Sequence, residues 1–451
     1  MGYNFRPVER DQSYLLPPSV RDWLRADHLA LFVLDAVAEL PEAALAPVYG
    51  RYRRDGWGAA AYEPAMMATL LVYAYATGER SSRRIETLCR ENVAYRVLTA
   101  NAAPDHATVA RFRAAHERAL EGLFGAVLVL CARAGMARFG QFALDGTKIA
   151  APTTQDANRT AAQLAADIAA VLAEAAAVDA AEDEEHGPDR RGDELPAALA
   201  HRTARLARLR EARRQLDAEA AAKEAAVAEQ AEKRAVREAE GKRTPGRKKV
   251  RAERPPEPRR NPTDPESRLL KGMHGWVQGY NAQAVASADG LIVAADVVTD
   301  ATDNGQLVPM AAAAVASLTA AGIQTTDRVL LADGGYWNEA NVTAVEADTP
   351  FTLLVPPWQP RGTHDRSRLP PPDRFRMMTR FTDPAGAAAY ERRPVIIETI
   401  FGHLKDALGL RRFSRRGRRA CRSEWLLACT AYNLRKLWHR KLERKAALAV
   451  A

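Results

Sequence analysis

The stretch YERRPVIIETIFGHLK, residues 390–405, predicts a helix with two different faces. Pro394 suits the first turn of a helix, where its missing N–H breaks no hydrogen bond. Apolar residues at helical spacing mark one buried face: Ile397, Ile400, Phe401, Leu404 and Leu408. Beside that face lies a stripe of Glu398, Gly402 and Lys405. Two interpretations are open here: a solvated face with a loose charge pair, or a carboxylate and an ammonium that meet a phosphodiester backbone, with a glycine that leaves room for it.

The composition favours a large protein with a polyanionic partner. At 451 residues the chain can hold about two or three domains and bury a sizeable core. The formal net charge is +9 and the pI about 9.4. A basic balance of this size suits a polyanion, although it does not identify one.

The cysteines and the N-terminal residues predict a cytoplasmic protein without a membrane partner. Four cysteines, at positions 89, 131, 421 and 429, form no CxxC pair and are too few for a disulfide framework, so we expect buried thiols. No His or Cys pairing has zinc-ligand spacing. The first residues lack a signal pattern, Arg6 departs from the myristoylation pattern, and no apolar run is long enough to span a bilayer.

Residues 1–138 predict an all-helical N-terminal domain. Residues 19–40 carry apolar side chains at helical spacing. Residues 62–77 are nearly all apolar, which is typical of a buried central helix, and Gly78 is expected to end that helix.

Short helical segments with tight joins follow at residues 81–118. The last helix is predicted to begin near Ala107, with Asp105 or His106 as its cap. The helix is expected to display polar residues near its start: Thr108, Arg111, Arg113 and His116. This arrangement is typical of a helix-turn-helix DNA reader and equally of a helical bundle with a solvated basic face.

From residue 140 the pattern changes to that of a mixed α/β sheet. Residues 140–149 predict a short strand that ends in a turn at Asp145–Gly146, and residues 275–299 predict a hairpin with its turn at 288–290. The following elements are a helix at 306–320 capped by Asp303 or Asn304, a strand at 328–332, a helix at 338–347 and a strand at 351–355. Residues 158–261 predict a charged helical hairpin with a basic, Pro-rich exit, inserted into this sheet.

Three carboxylates stand where such a sheet can bring them together. Asp145 and Asp333 each follow strand residues, and Glu398 lies on the helix after the last strand. Each alone is more typical of a turn or a surface charge. In open α/β sheets, however, catalytic groups gather beyond the strand ends. Three acids without Cys or His suit two-metal phosphoryl transfer with Mg²⁺, in which Asp145 bridges the ions and Lys148, Arg393 and Lys405 hold phosphates.

The chain resembles a bacterial insertion-sequence transposase of the DDE type, close to the insertion-sequence-1182 group. The matching motifs are RDGWGAAAYEPAMMATLLVYAYATGERSSRRIE, APDHATVARFR, LDGTKIAA, NPTDPESR, GWVQGYNAQAV, DNGQL, ADGGYW and ETIFGHLK. The resemblance implies an RNase H-like core, two Mg²⁺ ions with Mn²⁺ as a substitute, recognition of terminal inverted repeats, and cutting and joining of DNA. The implied catalytic and metal-binding triad is Asp145, Asp333 and Glu398.

Relatives of this type carry a Tyr–Arg–Glu–Lys motif, which maps onto Tyr390, Arg393, Glu398 and Lys405. Four residues separate Arg393 from Glu398, where the usual form has three. Glu391 is the rival acid, but nothing beside it matches ETIFGHLK. The supporting residues implied by the same motifs are Tyr390, Gly334 and Gly402.

Residues 411–451 predict a basic C-terminal helix or tail. Its apolar face is expected to pack through Trp425, Leu426, Leu427, Leu434 and Leu437. The run RRFSRRGRR at 411–419 has no evident core to join, so its arginines are predicted to contact the DNA backbone: Arg411, Arg412, Arg415, Arg416, Arg418 and Arg419.

The sequence thus predicts a cytoplasmic, nucleoid-associated DNA transposase that acts on inverted-repeat ends and target DNA as a homodimer or larger assembly. The predicted catalytic core spans 139–157 and 262–410. A catalytically inactive DNA-binding protein that represses the element is the alternative, and a nuclease without joining activity is a third interpretation.

Overall fold

The computed structural model of the chain describes residues 19–52, 60–137, 140–186, 197–240, 257–272, 275–357 and 372–450. Most of the predicted basic linker at 241–262 lies outside these ranges, and so do the Pro-rich residues 358–371. Within the described residues, no helix combines the length and the apolar character that crossing a bilayer requires. All four cysteines are buried and unpaired, as the sequence predicts.

The N-terminal region is built from helices around one buried helix. The helices are α1 (Leu29–Ala38), α2 (Glu42–Tyr49), α3 (Pro64–Ala76), α4 (Ser82–Glu91), α5 (Val93–Leu98), α6 (His106–Ala115) and α7 (Glu117–Arg133). Residues 67–76 of α3 are all buried, which confirms the predicted central helix, and Gly78 follows it with a positive φ of 81°. Residues 19–40 form a 3₁₀ turn at Val20–Trp23 and then α1, rather than one continuous helix.

A six-stranded mixed sheet follows these helices. Its strands are β1 (Gln141–Ala150), β4 (Arg268–Gly272), β5 (Gly275–Ser287), β6 (Ile292–Val298), β7 (Arg328–Leu331) and β8 (Phe351–Leu354). The order is β4–β5–β1–β7–β8, and β6 pairs with β5 as well. A separate two-stranded sheet pairs β2 (Arg159–Thr160) with β3 (Arg259–Arg260), where the inserted segment leaves and rejoins the core.

Strand β1 is longer than its parallel neighbour, and this difference opens one edge of the sheet. β1 pairs antiparallel with β5 from Phe142 to Ala150, but it pairs parallel with β7 only at residues 141–143. Among the described residues, no strand therefore pairs with residues 145–149 on the β7 side. At Ala150 the chain between the last two helices closes this edge again, because Ala150 accepts a hydrogen bond from the N–H of Phe413 at 2.8 Å.

Helices cover the sheet and form the insertion. The insertion is a hairpin of α8 (Ala161–His186) and α9 (Ala197–Ala239), and the remaining helices are α10 (Leu307–Ala320), α11 (Glu339–Asp348), α12 (Pro372–Thr382), α13 (Pro384–Glu391), α14 (Arg393–Gly402) and α15 (Arg418–Val450). α8 and α9 pack through a small apolar cluster that includes Leu164 and Leu209, which confirms the predicted hairpin. The sequence did not predict α12, α13 or β4.

The predicted apolar faces of the last two helices are confirmed. Ile397 and Ile400 of α14 are almost fully buried, and Trp425 and Leu434 of α15 are fully buried. α15 packs against α3, α7 and β6, so it joins the N-terminal helices and the sheet in one hydrophobic core. α14 packs against β1 and β5. Because α15 is held in the core, the segment that begins with α14 is fixed in this position.

Candidate active site

Asp145 lies in the middle of β1, and the predicted turn at Asp145–Gly146 is wrong. The strand runs through both residues without a break in register. The glycine is needed for space rather than for a turn, because a Cβ at Gly146 would lie 2.2 Å from Gln283 Nε2 and 2.6 Å from Asp303 Oδ1. An Asp–Gly pair is a common turn signal, but here a tertiary contact explains it.

Asp333 comes next to Asp145 through the parallel pairing of β1 and β7. Ala143 pairs with Leu331, and each aspartate follows two residues later, close enough for the charge of Asp333 to raise the pKa of Asp145. The Asp333 carboxylate accepts the N–H of Gly335 at 2.8 Å and caps the 3₁₀ turn Gly334–Tyr336. The turn fixes Asp333 at the open edge of β1.

The guanidinium of Arg393 connects the aspartate site to Glu398. Arg393 Nη1 lies 3.2 Å from Asp145 Oδ2, and Nη2 lies 3.8 Å from Glu398 Oε1. Tyr390 shares a hydrogen bond with Arg393. The structure therefore gathers the three predicted acids around the arginine of the Tyr–Arg–Glu–Lys motif, although its spacing in sequence is one residue longer than usual.

Burial disfavours the ionised form of the Asp145 carboxyl. Loss of solvent raises the pKa of Asp145 to about 6; the charge of Arg393 opposes this shift, and the charge of Asp333 adds to it. The side chain is 18% exposed, whereas that of Glu398 is 61% exposed. Asp145 thus occupies an interior position where additional positive charge stabilises its ionised form.

Two lysines lie near the acids. Burial and the neighbouring cations Arg411 and Lys148 lower the pKa of Lys405. Lys405 lies in a π turn, His403–Ala407, that continues α14. Lys148 has a different partner, since its Nζ lies 3.5 Å from Asp303 Oδ1.

The donor chemistry fits a hard divalent cation, although the three acids do not form a ready-made metal site. Carboxylate oxygens are the ligands that Mg²⁺ prefers, and Asp145 and Asp333 offer them side by side. Yet in the part of the chain that the structure describes, no group of three or more His, Cys, Asp or Glu side chains is arranged to hold a metal ion. An ion shared by all three acids requires Glu398 and Arg393 to adopt a different arrangement.

The predicted reading helix α6 has one buried and one exposed side. Asp105 caps it, as the sequence predicts, by accepting the N–H of Thr108 at 2.7 Å. Arg111 is exposed and Thr108 is partly exposed. Arg113 is only 8% exposed and donates to the carbonyl of Arg80 at 2.9 Å, so the prediction that α6 displays it is wrong. His116 is buried as well.

The basic run at 411–419 does join the core, contrary to the sequence-based prediction. Phe413 is 1% exposed. Arg415 and Arg419 both pair with Glu117 on α7. The ion pair of Arg411 is with Asp406, and the exposed arginines that remain are Arg412, Arg416 and Arg418. Helical periodicity could not reveal these partners because they are distant in sequence.

Sequence reasoning missed a polar network beneath the site. Asp303 was expected to cap a helix, but its side chain makes no capping hydrogen bond. It accepts from Asn281 Nδ2 at 2.6 Å and from Gln283 Nε2 at 2.8 Å instead. The available signal was the presence of two polar residues, Asn281 and Gln283, in the otherwise apolar strand β5.

Two family models match separate parts of the chain. The Transposase domain (DUF772) matches residues 18–115, and the Transposase DDE domain matches residues 247–434. These matches indicate a DDE transposase family. The mixed sheet with its many helices is compatible with the RNase H-like core of such enzymes.

The class carries general consequences for the chemistry. A DDE domain implies nuclease or strand-transferase activity, DNA as the partner, and divalent metal ions in general. Neither the comparison with curated proteins nor the comparison with solved structures found a match.

Proposed function

We propose that this protein is a transposase of the insertion-sequence-1182-like group, which binds the terminal inverted repeats of its element and cleaves and transfers DNA strands. The observation that carries the proposal is the contact of one guanidinium with two acids. Arg393 and Asp145 are 248 residues apart in sequence, yet their side chains form a hydrogen bond, and Glu398 lies beside the same guanidinium. One arginine thus connects two acids that are distant in sequence, beside an open strand edge.

The proposed roles follow from the position of each side chain. Asp145, largely buried on the central strand, would hold divalent ions together with Asp333 and Glu398. Such ions, when bound, would supply the activation of a water or 3′-hydroxyl and the stabilisation of the leaving oxygen. Arg393 and Lys405 hold the phosphates that flank the bond being cut.

The N-terminal helices supply the proposed DNA reader. Partly exposed Thr108 and exposed Arg111 follow the cap of α6, where the first turn of a recognition helix contacts bases or phosphates. The segment 81–118 then functions as a helix-turn-helix unit in which α6 follows α4 and α5 and serves as the reading helix. Arg113 supports that unit from inside rather than contacting DNA.

Cleavage of DNA that carries the element's own ends tests the proposal. Asp145→Asn, Asp333→Asn and Glu398→Gln should each lower the Mg²⁺-dependent cleavage rate by at least ~10³-fold, because each removes a ligand oxygen charge. End binding, measured by fluorescence anisotropy, should stay within about threefold of the wild type, since none of these acids contacts a phosphate directly.

Glu391→Gln is the matched control. Glu391 lies seven residues before Glu398 and is exposed, so its substitution should leave cleavage unchanged. Cleavage lost in Glu391→Gln but kept in Glu398→Gln would overturn the assignment. End binding by the wild type without cleavage in Mg²⁺ or Mn²⁺ would instead support the repressor, and cleavage without a strand-transfer product would support the simple nuclease.

A further inference from the structure

The carboxylate of Asp303 is fixed from behind by a buried amide pair. Asn281 and Gln283, both 0% exposed, donate to Asp303 Oδ1 at 2.6 and 2.8 Å. Tyr336, also fully buried, donates its hydroxyl to Gln283 Oε1 and so fixes the orientation of that amide. A carboxylate anchored in this way has little freedom to move.

The register of the sheet brings Lys148 to the same carboxylate. Lys148 pairs with Asn281 and Gly146 pairs with Gln283 across β1 and β5, so the four residues share one face of the sheet. The missing side chain of Gly146 gives the amide pair and Asp303 the space they occupy. The network therefore reaches Lys148 only because position 146 is a glycine.

Lys148 has donor capacity that the described residues do not use. Its Nζ lies 3.5 Å from Asp303 Oδ1 and makes no other hydrogen bond within the described ranges. An ammonium group has three N–H donors. The side chain is 16% exposed and lies on the part of β1 that extends beyond β7, and its charge contributes to the lowered pKa of Lys405. The two amines therefore lie near each other at the open edge.

We propose that Asp303 is a positioning residue that acts through Lys148 and holds the amine where it binds a DNA phosphate. This inference rests on the proposed DNA transposase function. A lysine side chain has four rotatable bonds and loses much freedom when it binds. An ion pair with an immobile carboxylate removes part of that freedom in advance, so DNA binding loses less entropy.

A double-mutant cycle tests whether Asp303 acts through Lys148. The wild type, Lys148→Met, Asp303→Asn and the double variant are compared by fluorescence anisotropy on terminal-repeat DNA over a salt series without divalent ions. Lys148→Met should weaken binding and lower the salt slope by about one. Asp303→Asn should weaken binding about 3- to 10-fold, and the double variant should bind no more weakly than Lys148→Met alone.

The sign of the Asp303→Asn effect separates positioning from simple charge. Loss of a negative charge near DNA should by itself tighten binding, whereas loss of positioning weakens it. Tighter binding by Asp303→Asn, or losses that simply add in the double variant, would overturn the inference. Weaker binding that disappears in the Lys148→Met background supports it.

Asp300→Asn is the control from the same loop. Its carboxylate accepts from Gln306 Nε2 at 2.7 Å rather than from Lys148. This variant should bind DNA as the wild type does or more tightly; a loss equal to that of Asp303→Asn would contradict a specific role. Thermal unfolding checks the fold of each variant. If Asp303→Asn does not fold, Asp303→Glu, which displaces the carboxylate by one methylene, is judged by the same criterion.

The two proposals fail in different ways. A wild type that binds and cleaves end DNA but gives an additive cycle refutes only the role of Asp303. A wild type that binds no end DNA refutes the proposed function itself.

Discussion

At two positions of this site, contacts with other elements of the fold, rather than local backbone conformation, explain which residue is present. Gly146 lies in a regular strand, and a side chain there would collide with Gln283 and Asp303. Arg393 lies at the first position of α14, from which it contacts Asp145 on β1. Gly146 therefore depends on the register of β1 and β5, and Arg393 depends on the packing of α14 against β1.

Gly146→Ala should destabilise the protein. The added Cβ would lie 2.2 Å from Gln283 Nε2, so the amide must move and its hydrogen bonds to Asp303 and Tyr336 weaken. We expect the free energy of unfolding to fall by about 1–3 kcal/mol, as in other overpacked interiors. Urea denaturation measures this change. Gly305→Ala, where the added Cβ meets nothing within 4 Å, is the control; an equal loss in both variants would contradict the explanation.

At the scale of elements, α14 and the π turn after it combine a buried apolar face with a more exposed side that carries the proposed functional residues. Ile397 and Ile400 hold the helix against the core. Glu398, Gly402 and Lys405 lie on the other side, and the π turn at His403–Ala407 ends the helix. π turns are frequent at functional sites because they reorient the side chains that follow.

Gly402→Ala should separate stability from DNA cleavage. A Cβ at Gly402 meets nothing within 4 Å, and alanine stabilises a helix by roughly 0.5–1 kcal/mol relative to glycine. If Gly402 leaves space for the DNA backbone, the variant should unfold at the same or a higher temperature but cleave end DNA at least ~10-fold more slowly. Gly125→Ala on α7 is the helical control. Unchanged cleavage in Gly402→Ala would refute the close approach.

The segment before α15 should divide into structural and DNA-binding arginines. Arg416 and Arg418 are exposed, so Arg416→Gln/Arg418→Gln should weaken DNA binding regardless of sequence and reduce the salt slope by about two. Arg415→Gln should instead lower the melting temperature, because it breaks a largely buried ion pair with Glu117. A salt slope that does not change in the double variant would contradict the assignment.

At the scale of the whole molecule, α15 connects the N-terminal helices to the sheet. Glu424 on α15 is fully buried. It accepts the backbone N–H groups of Ser414 and Arg415, and it pairs with Arg80 at 3.4 Å. One carboxylate thus ties the region before α4 to the segment that follows α14.

Glu424→Ala should be strongly destabilising. The substitution leaves two backbone donors without their acceptor and removes the ion pair of Arg80, which keeps its bonds to the carbonyls of Arg412 and Gly409; the free energy of unfolding should fall by about 3–5 kcal/mol. Denaturant unfolding provides the measurement. Glu443→Ala, an exposed position on the same helix, should stay within about 0.5 kcal/mol of the wild type. If the free energy of unfolding fell equally in both variants, the cause would be the loss of a negative charge on α15 rather than the loss of the Glu424 contacts.

The sequence by itself determined the elements with strong local patterns. The apolar run of α3, the buried face of α14, the β5–β6 hairpin and the Asp105 cap all follow from periodicity or turn and cap chemistry, which act within a few residues. The motif residues also predicted the triad of Asp145, Asp333 and Glu398, and this triad stays a prediction. Local signals sufficed because each of these features is stabilised mainly by neighbours in sequence or by simple burial.

Only the tertiary structure decided which partner each polar residue has. Asp303 binds Lys148, Asn281 and Gln283 rather than capping a helix, and Arg113 turns inward to the carbonyl of Arg80. Hydrogen bonds and ion pairs act over a few ångströms in space, so their partners depend on strand register and helix packing. Periodicity along the chain carries no information about those distances, and for that reason the network beneath Asp145 became visible only in the folded molecule.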